Sequence, residues 1–85
     1  MKFDKTKKIE TIEDVKAFFE FLSKELIISF HPDDGFDSYI DENGNQLLSD
    51  DDCALYDTKM NECFDVCDTF NEDIYELAFD ALVGK

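Results

Sequence analysis

The feature that most constrains the fold of this chain is a helix signal that begins at Ser49. Ser49 precedes three aspartates at residues 50–52, and a hydroxyl followed by acids is typical of a helix N-terminus, where it caps free N–H groups. Apolar side chains then recur at helical spacing on one stripe: Cys53, Tyr56, Met60, Cys63, Phe64, Cys67 and Phe70. The opposite stripe carries Asp57, Asn61, Asp65 and Asp68. The pattern predicts an amphipathic helix over about residues 50–68.

Two further helices are predicted on either side of this one. Thr11 and Asp14 form a plausible capping pair, and a helix over 12–26 would bury Ile12, Val15, Phe18, Phe19, Leu22 and Leu26. Residues 27–30 are mostly apolar and begin with two β-branched isoleucines, so they either extend this helix by a turn or form a short buried extended segment. A last helix is expected to open near Asn71 and to stop at Gly84. It would bury Ile74, Leu77, Ala78, Ala81 and Leu82.

The segments outside these helices predict a turn and a lead-in. Asn43 and Gly44 lie between the apolar pairs 39–40 and 47–48, which predicts a tight turn joining two short strands, with positive φ at both central residues. Residues 1–10 are expected to be a mobile or edge-strand lead-in with Phe3 and Ile9 as anchors. The predicted fold is mainly α, a single small acidic domain over 1–85. It is a compact three-helix domain with a short β-hairpin between helices 1 and 2, and α+β is the alternative.

The charge of the chain is segregated along its length. Residues 32–84 carry sixteen acids and one base, Lys59, whereas the first thirty residues balance six acids with six lysines. The net charge of −14 repels nucleic acid and anionic membrane and attracts basic surfaces. All eight bases are lysine, so no guanidinium is present for bidentate phosphate recognition. A hydrophobic content of 44% and nine phenylalanines indicate a folded domain rather than a disordered acidic tail.

These observations predict an acidic partner-binding face. The residues assigned to it are Asp50, Asp51, Asp57, Asn61, Asp65 and Asp68. Neighbours on one helix face are about 5–6 Å apart, so such carboxylates could occupy positions where a nucleic-acid-binding protein expects phosphates. The leading hypothesis is therefore a non-enzymatic protein that binds a basic partner and inhibits it by phosphate mimicry. The alternative is that the charge serves solubility alone.

Calcium binding is the second hypothesis. Asp41, Asn43, Asn45, Leu47, Ser49 and Asp52 match positions one, three, five, seven, nine and twelve of an EF-hand loop. Glycine stands at the fourth position instead of the sixth, and no convincing entering helix precedes the loop. A turn followed by a capped helix explains most of these residues as well.

Other chemistry has little support in the sequence. Cys53, Cys63, Cys67 and His31 could supply zinc ligands, but their spacing differs from a zinc knuckle and favours reduced cysteines packed as small hydrophobes. No catalytic motif or cofactor site is predicted. No run approaches the roughly 20 apolar residues of a membrane span and no signal peptide is recognised, so a cytoplasmic protein is expected. A domain that self-associates through apolar surface is the third hypothesis.

Four segments resemble a known group of proteins. These are Phe30-His31-Pro32-Asp33-Asp34, the turn from Tyr39 to Gly44, the run from Met60 to Cys67, and Asp73-Ile74-Tyr75-Glu76. Together they are similar to small acidic proteins of unknown function encoded around Bacteroidales mobile elements, over roughly residues 12–80. The resemblance implies no activity or site residues. It implies at most a mobile-element or phage setting, in which small acidic proteins often act as inhibitors or immunity-type partners of nucleases.

Overall fold

The structure is a computed structural model that describes residues 3–83, and its main elements are three α-helices. They are α1 (Ile12–Glu20), α2 (Asp50–Thr69) and α3 (Ile74–Val83). α1 packs against both α2 and α3, and α2 also contacts a short 3-10 turn at Phe36–Ser38. The prediction of a mainly helical chain is confirmed. The expected stop of the last helix at Gly84 lies outside the described residues.

The first helix begins at the predicted capping pair. The Thr11 hydroxyl accepts a hydrogen bond from the Asp14 N–H at 3.2 Å, and the Asp14 carboxylate accepts one from the Thr11 N–H at 3.2 Å. This reciprocal arrangement satisfies N–H groups that the helix itself leaves unpaired. After Glu20 the chain winds into a π-helical turn at Phe21–Glu25, closed by the Leu26 N–H donating to the Phe21 carbonyl at 3.1 Å. The helical run therefore ends close to the predicted residue 26.

The sequence left open whether residues 27–30 extend the helix or form an extended segment, and the structure decides between the two. Ile27 has φ of +53°, in the left-handed region, and the Ile28 N–H donates to the Leu22 carbonyl at 2.9 Å. Ile28 and Phe30 are buried, whereas Ile27 and Ser29 are exposed. The alternation is that of an extended segment. Residues 28–30 thus form a buried extended segment, with no strand partner in the part of the chain that is described.

The second and third helices are separated by a short reversal. The Ser49 hydroxyl caps α2 by accepting from the Asp52 N–H at 3.1 Å, as predicted. At the other end Asn71 has φ of +57°, and the Glu72 N–H donates to the Cys67 carbonyl at 2.8 Å. This is the Schellman closure of a helix. Because Asn71 ends α2, α3 begins at Ile74 rather than near 71.

The predicted β-hairpin is not supported. Within residues 3–83 no strand forms, and Ile40 and Gln46 make a single isolated antiparallel bridge. The Asp41 N–H donates to the Asn45 carbonyl at 2.8 Å, and the Gly44 N–H donates to the Asp41 carbonyl at 3.1 Å. Gly44 has φ of +83°, but Asn43 is not left-handed. The loop has three residues rather than two, and this loop length needs only one left-handed position.

Aromatic side chains form the centre of the core. Phe18 is fully buried, and its ring centroid lies 4.8 Å from Phe3, 6.0 Å from Tyr56 and 6.3 Å from Phe36. Ile9 is also buried. Both predicted anchors of the lead-in, Phe3 and Ile9, therefore pack against the helices, and residues 3–10 form an irregular segment rather than an edge strand. α1, α2, the 3-10 turn and the N-terminal segment share one core.

Candidate acidic interface

The buried face of α2 is wider than the predicted apolar stripe. Five of the seven predicted residues are buried, and they are Cys53, Tyr56, Met60, Cys63 and Cys67. Val66 and Lys59 are buried as well, whereas Phe64 is half-buried. Phe70 is 52% exposed, because α2 ends at Thr69 and the chain reverses there. The solvent face of α2 is correspondingly narrow.

Lys59, the single basic residue between residues 32 and 84, is not a surface residue. It is buried, and its Nζ donates to the Lys7 carbonyl at 2.5 Å. The same Nζ lies 3.4 Å from Glu62 Oε1, which in turn accepts a hydrogen bond from the Ile9 N–H at 3.0 Å. The buried ammonium of Lys59 and the half-buried carboxylate of Glu62 thus fasten the N-terminal segment to α2. Lys59 is therefore not positioned to neutralise the exposed acids of this helix.

Five of the six residues predicted to bind a partner are exposed on α2. They are Asp50, Asp51, Asn61, Asp65 and Asp68. Asp50 also accepts a hydrogen bond from Gln46 Nε2 at 3.0 Å. Two ion pairs form among residues 3–83, Lys24 with Glu20 and Lys59 with Glu62, and neither includes a residue of this set. We call these five residues the α2 acidic face.

The carboxylates of the α2 acidic face form two groups, one near each end of the helix, rather than one continuous row. Asp50 and Asp51 lie in the first turn, Asp65 and Asp68 lie near the last turn, and the exposed residues between them include Ala54 and Thr58. With a rise of about 1.5 Å per residue, the two ends are roughly 20 Å apart. The carboxylates therefore form two separate anionic clusters along one helix.

Asp57, the sixth predicted residue, has a different environment. It is half-buried, and its Oδ1 accepts a hydrogen bond from the Phe36 N–H at 3.0 Å. Phe36 is the first residue of the 3-10 turn, so Asp57 satisfies an N–H group that the turn leaves unpaired. Asp57 joins the 3-10 turn to α2, and one of its oxygens is occupied by that contact.

The helix dipole treats the two ends of the face differently. Asp50, Asp51 and Asp52 lie in the first turn of α2, where acids are stabilising by about 0.3–1 kcal/mol each. Asp68 lies in the last turn, which contains no basic residue. A carboxylate there faces the negative end of the dipole and the free carbonyls, so it is unfavourable by a similar amount. Asp68 therefore costs the fold stability, and the acids of the first turn do not.

The calcium hypothesis rests on the loop between residues 41 and 52. Asp41 Oδ1 accepts hydrogen bonds from the Asn43 N–H at 2.8 Å and the Asn45 N–H at 3.0 Å, and the Ser49 hydroxyl caps α2. These contacts are those of a turn followed by a capped helix. Over the described residues no group of three or more His, Cys, Asp or Glu side chains is arranged to hold a metal ion. Calcium binding at this loop stays a prediction.

The cysteines and the histidine are used in packing and local hydrogen bonds. Cys53, Cys63 and Cys67 are buried free thiols, and burial raises the pKa of each, most strongly for Cys63. A thiol with a raised pKa stays protonated and is a poor nucleophile. His31 Nδ1 accepts a hydrogen bond from the Asp33 N–H at 3.1 Å, and its ring packs against Tyr75 with centroids 5.7 Å apart.

Neither a search for membrane-spanning helices nor comparison with known proteins assigns a function to the chain. None of the described helices has the length and apolar character needed to cross a membrane. No family model matches the chain, and no match was found among curated proteins or solved structures.

Proposed function

We propose that this chain is a non-enzymatic acidic interaction protein that binds a basic protein through the α2 acidic face. The observation that carries the proposal is the C-terminal cluster of this face. Asp65 and Asp68 are exposed and have no cation partner among residues 3–83. Asp68 also lies where the helix dipole disfavours a carboxylate. If these carboxylates served solubility alone, they could equally lie at helix N-termini, where the dipole would make them stabilise the fold.

The burial of Lys59 supports the same conclusion. A lysine on the surface of α2 would form pairs with acids three or four residues away and reduce the field of the helix. Lys59 instead is buried and paired with Glu62. The exposed carboxylates of α2 therefore have no exposed basic side chain on their own helix with which to pair.

The proposed mechanism is electrostatic docking by phosphate mimicry. The partner is a protein whose lysines and arginines line a nucleic-acid groove, and the two carboxylate clusters occupy positions that phosphates would take. Complementary charge speeds association and makes the affinity fall as salt rises. Occupation of the groove inhibits nucleic-acid binding. The resemblance to small acidic proteins encoded around mobile elements supports an inhibitor of this kind, acting in the cytoplasm.

Affinity capture with matched charge variants tests the proposal. The test variant is Asp65→Lys/Asp68→Lys, which reverses the C-terminal cluster. The control is Glu25→Lys/Glu42→Lys, which changes the net charge by the same amount at two exposed positions outside α2. Both variants and the wild-type protein are immobilised and exposed to nuclease-treated lysate of the source cell at about 0.15 M salt, where exposed charges more than about 8 Å apart are screened.

The proposal predicts that wild type and the control retain one basic protein that the test variant loses. Duplex DNA added to the complex should then release that protein, because DNA and the acidic face compete for one groove. Equal recovery by both variants would mean that only net charge matters, and the α2 acidic face would not be a specific site.

A further inference from the structure

The third helix carries an apolar stripe that the core does not cover. α3 packs inward through Ile74 and Ala78, which are buried. Tyr75, Phe79 and Val83 follow one another at four-residue spacing on another face, and they are 46%, 63% and 63% exposed. Residues four apart on a helix are neighbours, so these three side chains form a continuous row. We call them the α3 stripe.

The polar groups next to the α3 stripe are mostly acids. His31 packs against Tyr75 at one end of the stripe, and the Tyr75 hydroxyl there donates to Asp33 Oδ1 at 2.7 Å. Glu76 and Asp80 are exposed and lie three residues before Phe79 and Val83, so they run alongside the stripe on the solvent side. From residue 60 to residue 83 the sequence contains no lysine, arginine or histidine. Lys16 and Lys24 of the first helical run lie beyond Asp80, and they line a shallow cleft of about 310 Å³ together with Glu20, Asp80, Leu77 and Ala81.

We infer that the α3 stripe is a docking surface for a basic amphipathic helix of a partner protein. The apolar face of that helix would cover Phe79 and Val83, and its lysines or arginines would lie against Glu76 and Asp80. This inference rests on the proposed function, because it takes the partner to be basic, and it adds a hydrophobic anchor on α3.

The area of the α3 stripe and the charge of its flank favour a basic helix of a partner protein over a second copy of the chain. The stripe offers roughly 300 Å² of side chain, since a fully exposed aromatic residue carries about 150–250 Å², whereas a stable dimer buries about 800 Å² on each partner. A second copy would also bring its own acidic α3 against Glu76 and Asp80. One helix laid along another matches both the width of the stripe and the sign of its flank.

Two synthetic peptides test the inference. The first has about 18 residues, a length at which isolated helices begin to form, with leucine and lysine placed at helical spacing. The second has the same composition with leucine and lysine in strict alternation, which gives no apolar helix face. Fluorescence anisotropy gives the Kd of each for wild type, Phe79→Ala and a control, Ile40→Ala. Ile40 is 60% exposed on the turn at residues 39–47 and is equally apolar.

The inference predicts that the helical peptide binds wild type and Ile40→Ala alike, and that Phe79→Ala weakens its binding about tenfold. The alternating peptide should bind more weakly and be insensitive to Phe79→Ala. Thermal unfolding of both variants checks that exposed-site changes leave the fold intact. If both peptides bind equally and Phe79→Ala has no effect, the stripe is not the docking surface, although acidic binding through α2 would stand.

Sedimentation of the protein without peptide tests whether a second copy of the chain covers the α3 stripe. The inference predicts a monomer mass that does not change with concentration for wild type and for Phe79→Ala. A wild-type dimer that Phe79→Ala converts to a monomer would overturn the inference in favour of a second copy on the stripe.

Discussion

Lys59 and Glu62 form a largely buried ion pair one helical turn apart on α2, with Nζ 3.4 Å from Oε1. Each partner also holds a backbone group of the N-terminal segment, since Lys59 donates to the Lys7 carbonyl and Glu62 accepts from the Ile9 N–H. A buried pair of this kind contributes little net stability, but removing one partner leaves an uncompensated charge. The pair therefore sets how firmly residues 7–9 are held against α2.

Glu62→Ala should destabilise the protein by roughly 2–4 kcal/mol, because it leaves the buried Lys59 ammonium without its counterion. Lys59→Met/Glu62→Leu removes both charges and keeps the side-chain volume, so it should cost less than Glu62→Ala alone. Urea unfolding followed by circular dichroism measures both. A Glu62→Ala variant as stable as wild type would show that the ion pair does not hold the N-terminal segment.

Ile27→Gly should stabilise the protein by about 1 kcal/mol, although it removes a large side chain. Ile27 has φ of +53° and is 77% exposed. A β-branched residue is strained in the left-handed region, whereas glycine adopts it freely. The expected rise in Tm is about 4–8 °C. Ser29→Gly is the control, because Ser29 is also exposed but is not left-handed. It should lower Tm or leave it unchanged, and the same effect from both glycines would argue against strain at Ile27.

Asp68→Lys should stabilise the fold while it weakens partner binding. The substitution places a cation at the C-terminal end of α2, where the dipole favours positive charge by about 0.3–1 kcal/mol. Asp51→Lys is the matched control, because Asp51 is exposed in the first turn and a cation there is unfavourable. Differential scanning calorimetry should show a Tm increase for Asp68→Lys and a decrease for Asp51→Lys. Equal increases in both would mean that relief of net charge dominates the dipole.

The buried thiols predict a loss of stability at alkaline pH. Burial raises the pKa of the Cys53, Cys63 and Cys67 thiols in the folded chain, above an unfolded value of about 8.5. Their contribution to stability is full below the unfolded pKa and is lost as the pH rises toward the folded one. Each thiol that ionises only on unfolding lowers the free energy of unfolding by about 1.4 kcal/mol per pH unit.

Unfolding in urea at pH 7.5 and pH 10 under reducing conditions measures this loss. Cys63→Ala should be less stable than wild type at pH 7.5, because it leaves a small cavity in the core. It should nevertheless lose less stability than wild type between pH 7.5 and pH 10. Identical pH dependence in the two proteins would show that the Cys63 thiol does not contribute to the alkaline loss.

The sequence predicted the parts of this fold that local interactions decide. The capping pair of Thr11 with Asp14 and the Ser49 cap both form, and they place the starts of α1 and α2. Local signals were less reliable where a backbone conformation decided the outcome. Asn71 takes a left-handed φ, which delays α3 to Ile74, and Gly44 alone supplies the left-handed residue of the turn that was expected to be a hairpin.

The contacts that the sequence did not predict join residues far apart in the chain. Lys59 reaches the Lys7 carbonyl across 52 residues, and Asp57 reaches the Phe36 N–H across 21. Both side chains bond to backbone groups, so no complementary side chain in the sequence signals the pairing. A lysine within an acidic, amphipathic helix is typical of the surface, and only the packed structure places Lys59 inside. The exposure of Asp65 and Asp68, in contrast, follows from helical periodicity.

The central claim is that the C-terminal carboxylates of α2 bind a basic partner rather than only add charge. Isothermal titration of the captured basic protein, at about 0.15 M salt, tests it most directly in wild type, Asp65→Lys/Asp68→Lys and Glu25→Lys/Glu42→Lys. The account predicts at least a tenfold rise in Kd for the first variant, equivalent to about 1.4 kcal/mol or more, and a much smaller rise for the second. Equal Kd values for the two variants would contradict it and leave the charge of α2 as a contribution to solubility.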